Sequence, residues 1–89
     1  MNSSENWQIR IRDAVYNQLA KFPVKDRGRL VSVIENLPSN PFAGDIQKMG
    51  GEENVWRRRV GSYRIRYEIM ARERVIYIFI VERRTSKSY

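Results

Sequence analysis

The sequence predicts an α+β domain: an N-terminal strand, a two-helix hairpin, and a three-stranded antiparallel meander forming a twisted sheet with the helices on one face. Three observations lead there. Apolar residues alternate at the start and again from Asn54 onward, they follow helical spacing in between, and the interval 38–45 breaks every pattern. With 89 residues the chain has room for one core, so a single domain over 1–89 is expected, with 1–6 as a flexible tail.

Trp7 to Arg12 alternate apolar and polar, as a half-buried strand does. Val15, Leu19 and Phe22 then follow helical spacing after a cap at Asp13, and Pro23 ends that helix. A second helix, Val24 to Leu37, gathers Leu30, Val31, Ile34 and Leu37 on one face, with Gly28 a mild weakness. Residues 38–45, PSNPFAGD, are turn chemistry. Val55 to Val60, Tyr63 to Met70 and Arg74 to Glu82 read as strands joined at Gly61-Ser62 and Ala71-Arg72-Glu73, both short enough for hairpins. The run VIYIFIV is apolar on both faces, as a strand covered on both sides would be.

Charge is distributed unevenly along this frame. The chain carries 17 Lys and Arg against 10 Asp and Glu, a formal +7. Residues 1–56 hold seven basic and seven acidic side chains, and residues 57–89 hold ten and three, so the whole excess lies in the meander. A polyanion is the natural partner, nucleic acid ahead of an anionic membrane. There is no cysteine and no histidine, which excludes disulfides, thiolate chemistry, the commonest zinc ligand and the commonest general acid–base. Glu52-Glu53 reads as a solvated loop, and neither a metal nor a cofactor is expected. No apolar run approaches the roughly 20 residues of a membrane span and MNSSENW is no signal peptide, so a cytoplasmic protein without membrane contact is expected.

The densest charge is WRRRVGSYRIRY, residues 56–67, with five arginines and no acid. Period 2 puts Arg57 and Arg59 on one face of their strand, with Trp56, Arg58 and Val60 opposite. In the next strand Arg64, Arg66 and Glu68 share a face, and Tyr63, Ile65, Tyr67 and Ile69 share the other. Gathered guanidinium groups repel one another, an arrangement best tolerated where an anion enters. A solvated strand face with edge protection explains the same pattern, and charge and period leave the two readings even.

The order of short motifs separates them. Leu37-Pro38-Ser39-Asn40-Pro41, Lys48-Met49-Gly50-Gly51, the run from Trp56 to Tyr67, and Arg83 with Tyr89 together resemble the RelE/ParE superfamily of toxin–antitoxin toxins over nearly the whole chain. The two short helices look more like the RelE branch, whose members cut messenger RNA on the translating ribosome. The resemblance implies a RelE-like fold whose concave sheet face is the active site, a ribosome-dependent mRNA endoribonuclease that inhibits translation, and a cognate antitoxin as partner beside ribosome and mRNA. The antitoxin's binding segment should be acidic or amphipathic. Catalytic positions carried over are Arg57, Arg59, Arg64, Arg83 and Tyr89, with Lys48, Arg66, Arg84 and Lys87 as nucleic-acid contacts. Period 2 puts Arg83 with Tyr77, Phe79 and Val81 on that concave face and leaves Ile76, Ile78 and Ile80 for the helices.

Metal-free RNA cleavage needs the 2′-hydroxyl deprotonated, the phosphorane charge stabilised and the leaving 5′-oxygen protonated. Arginine suits the middle task, so Arg64 and Arg83 are expected to grip the scissile phosphate while Arg57 and Arg59 stabilise its developing charge. Tyr89 is the base or a stacking platform. The chain departs from well-known RelE-branch members in having arginine for lysine at 57 and 59, and arginine hardly exchanges a proton. Proton transfer then falls to Tyr89 or to the ribosome. Tyr63, Tyr67, Phe42 and Trp56 are candidates for base stacking, with core packing favoured for the two tyrosines. The alternatives from other classes are a ParE-like toxin acting on DNA gyrase and a non-catalytic nucleic-acid-binding module.

Overall fold

The computed structural model describes residues 7–39, 41–42, 44–51 and 53–84. Its elements are β1 (Gln8–Ile11), α1 (Asp13–Ala20), α2 (Val24–Asn36), β2 (Ile46–Lys48), β3 (Val55–Val60), β4 (Tyr63–Met70) and β5 (Val75–Arg83). They form one mixed sheet in the order β1-β5-β4-β3-β2, antiparallel throughout except for the parallel β1–β5 pair. The fold is the expected α+β arrangement with one strand more than the sequence pattern gave. β2 is that strand: three residues, Ile46-Gln47-Lys48, are too few to display a period.

The helices lie against one sheet face. Val15 and Leu19 of α1, Leu30, Ile34 and Leu37 of the α2 side, and Tyr63, Ile65, Tyr67, Ile69, Ile76, Ile78 and Val81 of the sheet make the buried core. The helical boundaries follow from local chemistry. Asp13 is the first residue of α1, not its cap; the flanking position is Arg12, and the Asp13 carboxylate instead lies in the first turn, where the helix dipole favours it. Pro23 stands just before α2. Arg27 closes the connection by donating from Nε to the Leu19 carbonyl and from Nη2 to the Phe22 carbonyl, both at 3.1 Å, which ties α2 to the end of α1 and the turn after it.

Two turns shape the meander. Gly61 takes φ +60° at the first central position of the two-residue β3–β4 turn, where a residue with a Cβ is strained. The β4–β5 loop is one residue longer than expected, because Arg74 adopts φ 58° and the strand starts at Val75. Within β5 the register slips: Arg66 faces Ile80, whereas Tyr67 faces Ile78, leaving Phe79 as an extra residue. β1 ends at Ile11, and beyond it the outer edge of β5 is met by side chains. Arg12 Nη1 donates to the Phe79 carbonyl at 3.5 Å, and the Val81 N–H donates to Gln18 Oε1 at 2.8 Å. Among the described residues no helix is long and apolar enough to cross a membrane.

Candidate functional site

The face away from the helices collects the arginines. In the β3–β4 pair Arg57 stands directly opposite Arg66, and Arg59 directly opposite Arg64. Like charges in facing positions destabilise a sheet, so each pair needs compensation. Three of the four have it. Arg57 donates to Gln47 Oε1 on β2, Arg59 pairs with Asp45 at 3.1 Å, and Arg66 pairs with Glu82 on β5 at 3.1 Å. Arg64 has no hydrogen-bond or ion-pair partner among the described residues, and its Nε is buried and unsatisfied, as are those of Arg57 and Arg66.

Arg64 lines a cavity of about 200 Å³ at the turn end of this face, together with Arg59, Arg84, Asp45, Gly61 and Ser62. The Arg84 N–H donates to the Ser62 carbonyl at 2.6 Å, tying the end of β5 to the turn. Partial burial and then the nearby charges of Arg84, Arg57 and Arg59 push the Arg64 guanidinium below its ordinary pKa, with Glu82 opposing them. A group pushed this way is relieved by an incoming anion.

The extra residue at Phe79 corrects the expected facing of β5. Tyr77 lies on the arginine face opposite Glu68, and Ile80, expected under the helices, also lies on the arginine face opposite Arg66. Val81 and Arg83 fall on the helix side, opposite Ile65 and Tyr63. Arg83 therefore lies over the Tyr63 ring at 5.7 Å, away from the cavity. Arg84, expected only as a contact, occupies the cavity wall instead. A single inserted residue exchanges the places of two adjacent arginines, and a strand apolar on both faces gives no sign of it.

The other sequence candidates separate clearly. Arg58 points to the helix side and lies on Gly44, where a φ of +89° would strain any other residue and a Cβ, 2.5 Å from the guanidinium carbon, would displace the Arg58 head. Tyr63 and Tyr67 are core residues: the Tyr63 hydroxyl donates to Asp26 at 2.7 Å and the Tyr67 hydroxyl to the Pro41 carbonyl at 3.1 Å. Burial, then the Asp26 bond, raises the Tyr63 pKa, and burial pushes Tyr67 up to about 12. Trp56 packs on the core and meets Phe42 edge to face at 5.4 Å. Lys48 is exposed on edge strand β2, paired with Trp56 and so on the side away from Gln47. Tyr89 and Lys87, and Glu52 of the loop pair, lie outside the described residues. Sequence reasoning missed Asp45 and Gln47, the tethers of Arg59 and Arg57, because only the pairing of β2 brings them near.

Three comparisons agree with this architecture. Residues 9–87 match the family described as ParE toxin of type II toxin-antitoxin system, parDE. RelE1 of Methanocaldococcus jannaschii is 28% identical over 81 residues, 88% of this chain and 90% of that protein. Among solved structures, the archaeal RelE–RelB complex from Pyrococcus horikoshii OT3 superposes with a TM-score of 0.80 at 23% identity, covering 91% of this chain and 98% of that one. The isolated Escherichia coli RelE toxin gives 0.77 at 13% identity, covering 91% and 87%. Fold, motif order and family match converge on one assignment: the chain belongs to the RelE/ParE superfamily of type II toxin–antitoxin toxins.

Proposed function

We propose that this protein is a toxin that cuts messenger RNA on the ribosome without a metal ion and so stops translation. The observation that carries this reading is Arg64, a partly buried guanidinium whose Nε has no hydrogen-bond partner, beside Arg59 and Arg84 in a cavity fit for a phosphate. Arg64 and Arg84 hold the scissile phosphate, in place of the Arg64 and Arg83 pair expected from sequence, because Arg83 is on the other side of the sheet. Arg59, with Arg57 behind it, stabilises the charge that develops as the 2′-hydroxyl attacks phosphorus and the 5′-oxygen departs. The proton transfers are assigned to Tyr89, with groups of the ribosome as the alternative. Arg66 and Lys87 contribute contacts to RNA backbone, whereas Lys48, expected to do the same, lies on the side of β2 away from the arginine face.

The partner is an antitoxin. Complexes of RelE with RelB are known for the Pyrococcus horikoshii and Methanococcus jannaschii proteins, the latter 26% identical to this chain. The basic face favours an acidic or amphipathic antitoxin segment that covers or displaces it. Action in the cytoplasm follows from a ribosomal target.

The family match to ParE supports a second reading, inhibition of DNA gyrase. Primer extension on a defined message in a purified translation system, with and without ribosomes, separates the two. Ribosome-dependent cuts at discrete codon positions that vanish with Arg64→Ala are expected. Growth arrest with no cuts and with DNA damage would instead assign the protein to the gyrase-directed branch.

A further inference from the structure

At the turn end the arginine face presents Arg59, Arg64 and Arg84 around one cavity. Two residues along the strands, a rise of about 7 Å, its character changes. There a second cavity, of about 120 Å³, is lined by Met49, Gly50, Val55, Arg66 and Phe79. We propose that this cavity is a nucleobase subsite, in which the base next to the phosphate held at Arg64 packs on Phe79. The inference rests on the reading of this face as an RNA site and names where one base of the substrate goes.

Four features support it. First, Phe79 is the inserted residue of β5, and insertions of this kind re-aim a side chain, commonly beside a functional site. A regular strand would present one β5 side chain here, whereas the slip turns both Phe79 and Ile80 toward the arginines. Second, the Phe79 and Tyr77 rings lie 6.2 Å apart at an interplanar angle of 32°, so the end of the face away from the turn carries aromatic surface while the turn end carries cations. Third, of the four aromatics that the sequence offers for stacking, Tyr63 and Tyr67 are 4% and 0% exposed, and Trp56 packs on the core against Phe42. Phe79 is only partly buried. Fourth, Gly50 lines the cavity without contributing a side chain, and a Cβ there would meet nothing within 4 Å.

The chemistry matches one ligand class. A base presents an apolar π face and stays joined to its phosphate through ribose, a span comparable to the spacing between the Arg64 and Arg66 rows. Stacking on an aromatic side chain tolerates any base, and the adjoining Arg66 plane extends the platform.

The test uses the full-length protein and two five-nucleotide RNAs, one with 2-aminopurine at its centre and one abasic there. Fluorescence anisotropy of a dye carried on the 5′ end of both RNAs is expected to show the base-bearing RNA binding about tenfold more tightly than the abasic one. Phe79→Leu should erase that preference while Phe79→Tyr keeps it, and Arg64→Ala should weaken both RNAs alike. Equal affinity of the wild type for the two RNAs overturns the subsite, as does a preference that survives in Phe79→Leu. No binding of either RNA overturns the subsite and leaves the proposed function to be decided by ribosome-dependent cleavage. The same preparations are run in the primer-extension assay. Cleavage without a base preference removes the subsite and leaves the proposed function, whereas a base preference without cleavage does the reverse.

Discussion

The two faces of β4 use alternate residues of one segment for opposite ends. On the helix side Tyr63, Ile65, Tyr67 and Ile69 are buried, and both tyrosine hydroxyls have partners in Asp26 and the Pro41 carbonyl. On the other side Arg64 and Arg66 are half-buried beside Arg57 and Arg59, with buried Nε atoms left unsatisfied. A native structure leaves few buried polar groups unpaired, so a row of them on one face and satisfied hydroxyls on the other separates binding from folding within eight residues. Arg58 is the exception on the helix side, its Nε unpaired against Gly44.

Substitutions on the two faces should therefore fail differently. Arg64→Ala is the largest expected effect: a loss of about 10²–10³-fold in the rate of message cleavage, with a melting temperature equal to or above the wild type because a repelling cation is gone. Single-turnover cleavage and thermal melts on the same preparation check both halves; a large loss of stability would erase the distinction between the faces.

On the helix side the expected effect is on stability and depends on pH. Tyr67 titrates at about 12 in the folded chain against about 10 when unfolded, so the unfolded state releases its proton first. Its contribution is full below about pH 10 and is lost as the pH rises toward 12. Urea melts from pH 9 to 12 should show the wild type losing stability more steeply than Tyr67→Phe, by on the order of 2 kcal/mol across that window. Tyr63→Phe removes the bond to Asp26 and should cost about 1 kcal/mol in the same melts, with the cleavage rate of the folded fraction unchanged. Glu82→Gln sharpens the comparison from the open side. It frees a half-exposed Arg66, should change stability by no more than about 0.5 kcal/mol, and should steepen the salt dependence of RNA binding.

Much of this division was legible in the sequence. The alternation YRIRYEI assigns each residue of β4 to its face because apolar and charged side chains differ so plainly, and the same contrast places Arg57 and Arg59. The slip in β5 was hidden for the opposite reason. In VIYIFIV a change of phase exchanges one apolar residue for another, so nothing in the pattern marks Phe79, and the assignment of Arg83 and Arg84 inverts downstream of it. The tethers Asp45 and Gln47 lie in a turn and a three-residue strand, where identity alone does not reveal a partner ten or fourteen residues away. Motif resemblance pointed to the site where periodicity stopped, although it named Arg83 where the geometry brings Arg84.

The parallel pairing of β1 with β5 has a bearing on how the chain folds. Gln8 meets Val75 across sixty-seven residues, while β3, β4 and β5 are joined by turns of two and four. Closing the long loop costs chain entropy before its contacts form, so the meander carrying the arginines has every reason to assemble first and β1 to join late. Although β1 is the first of these strands to be made, its one sheet neighbour among the described residues, β5, is the last of them, and the first strand waits for it before the sheet is complete.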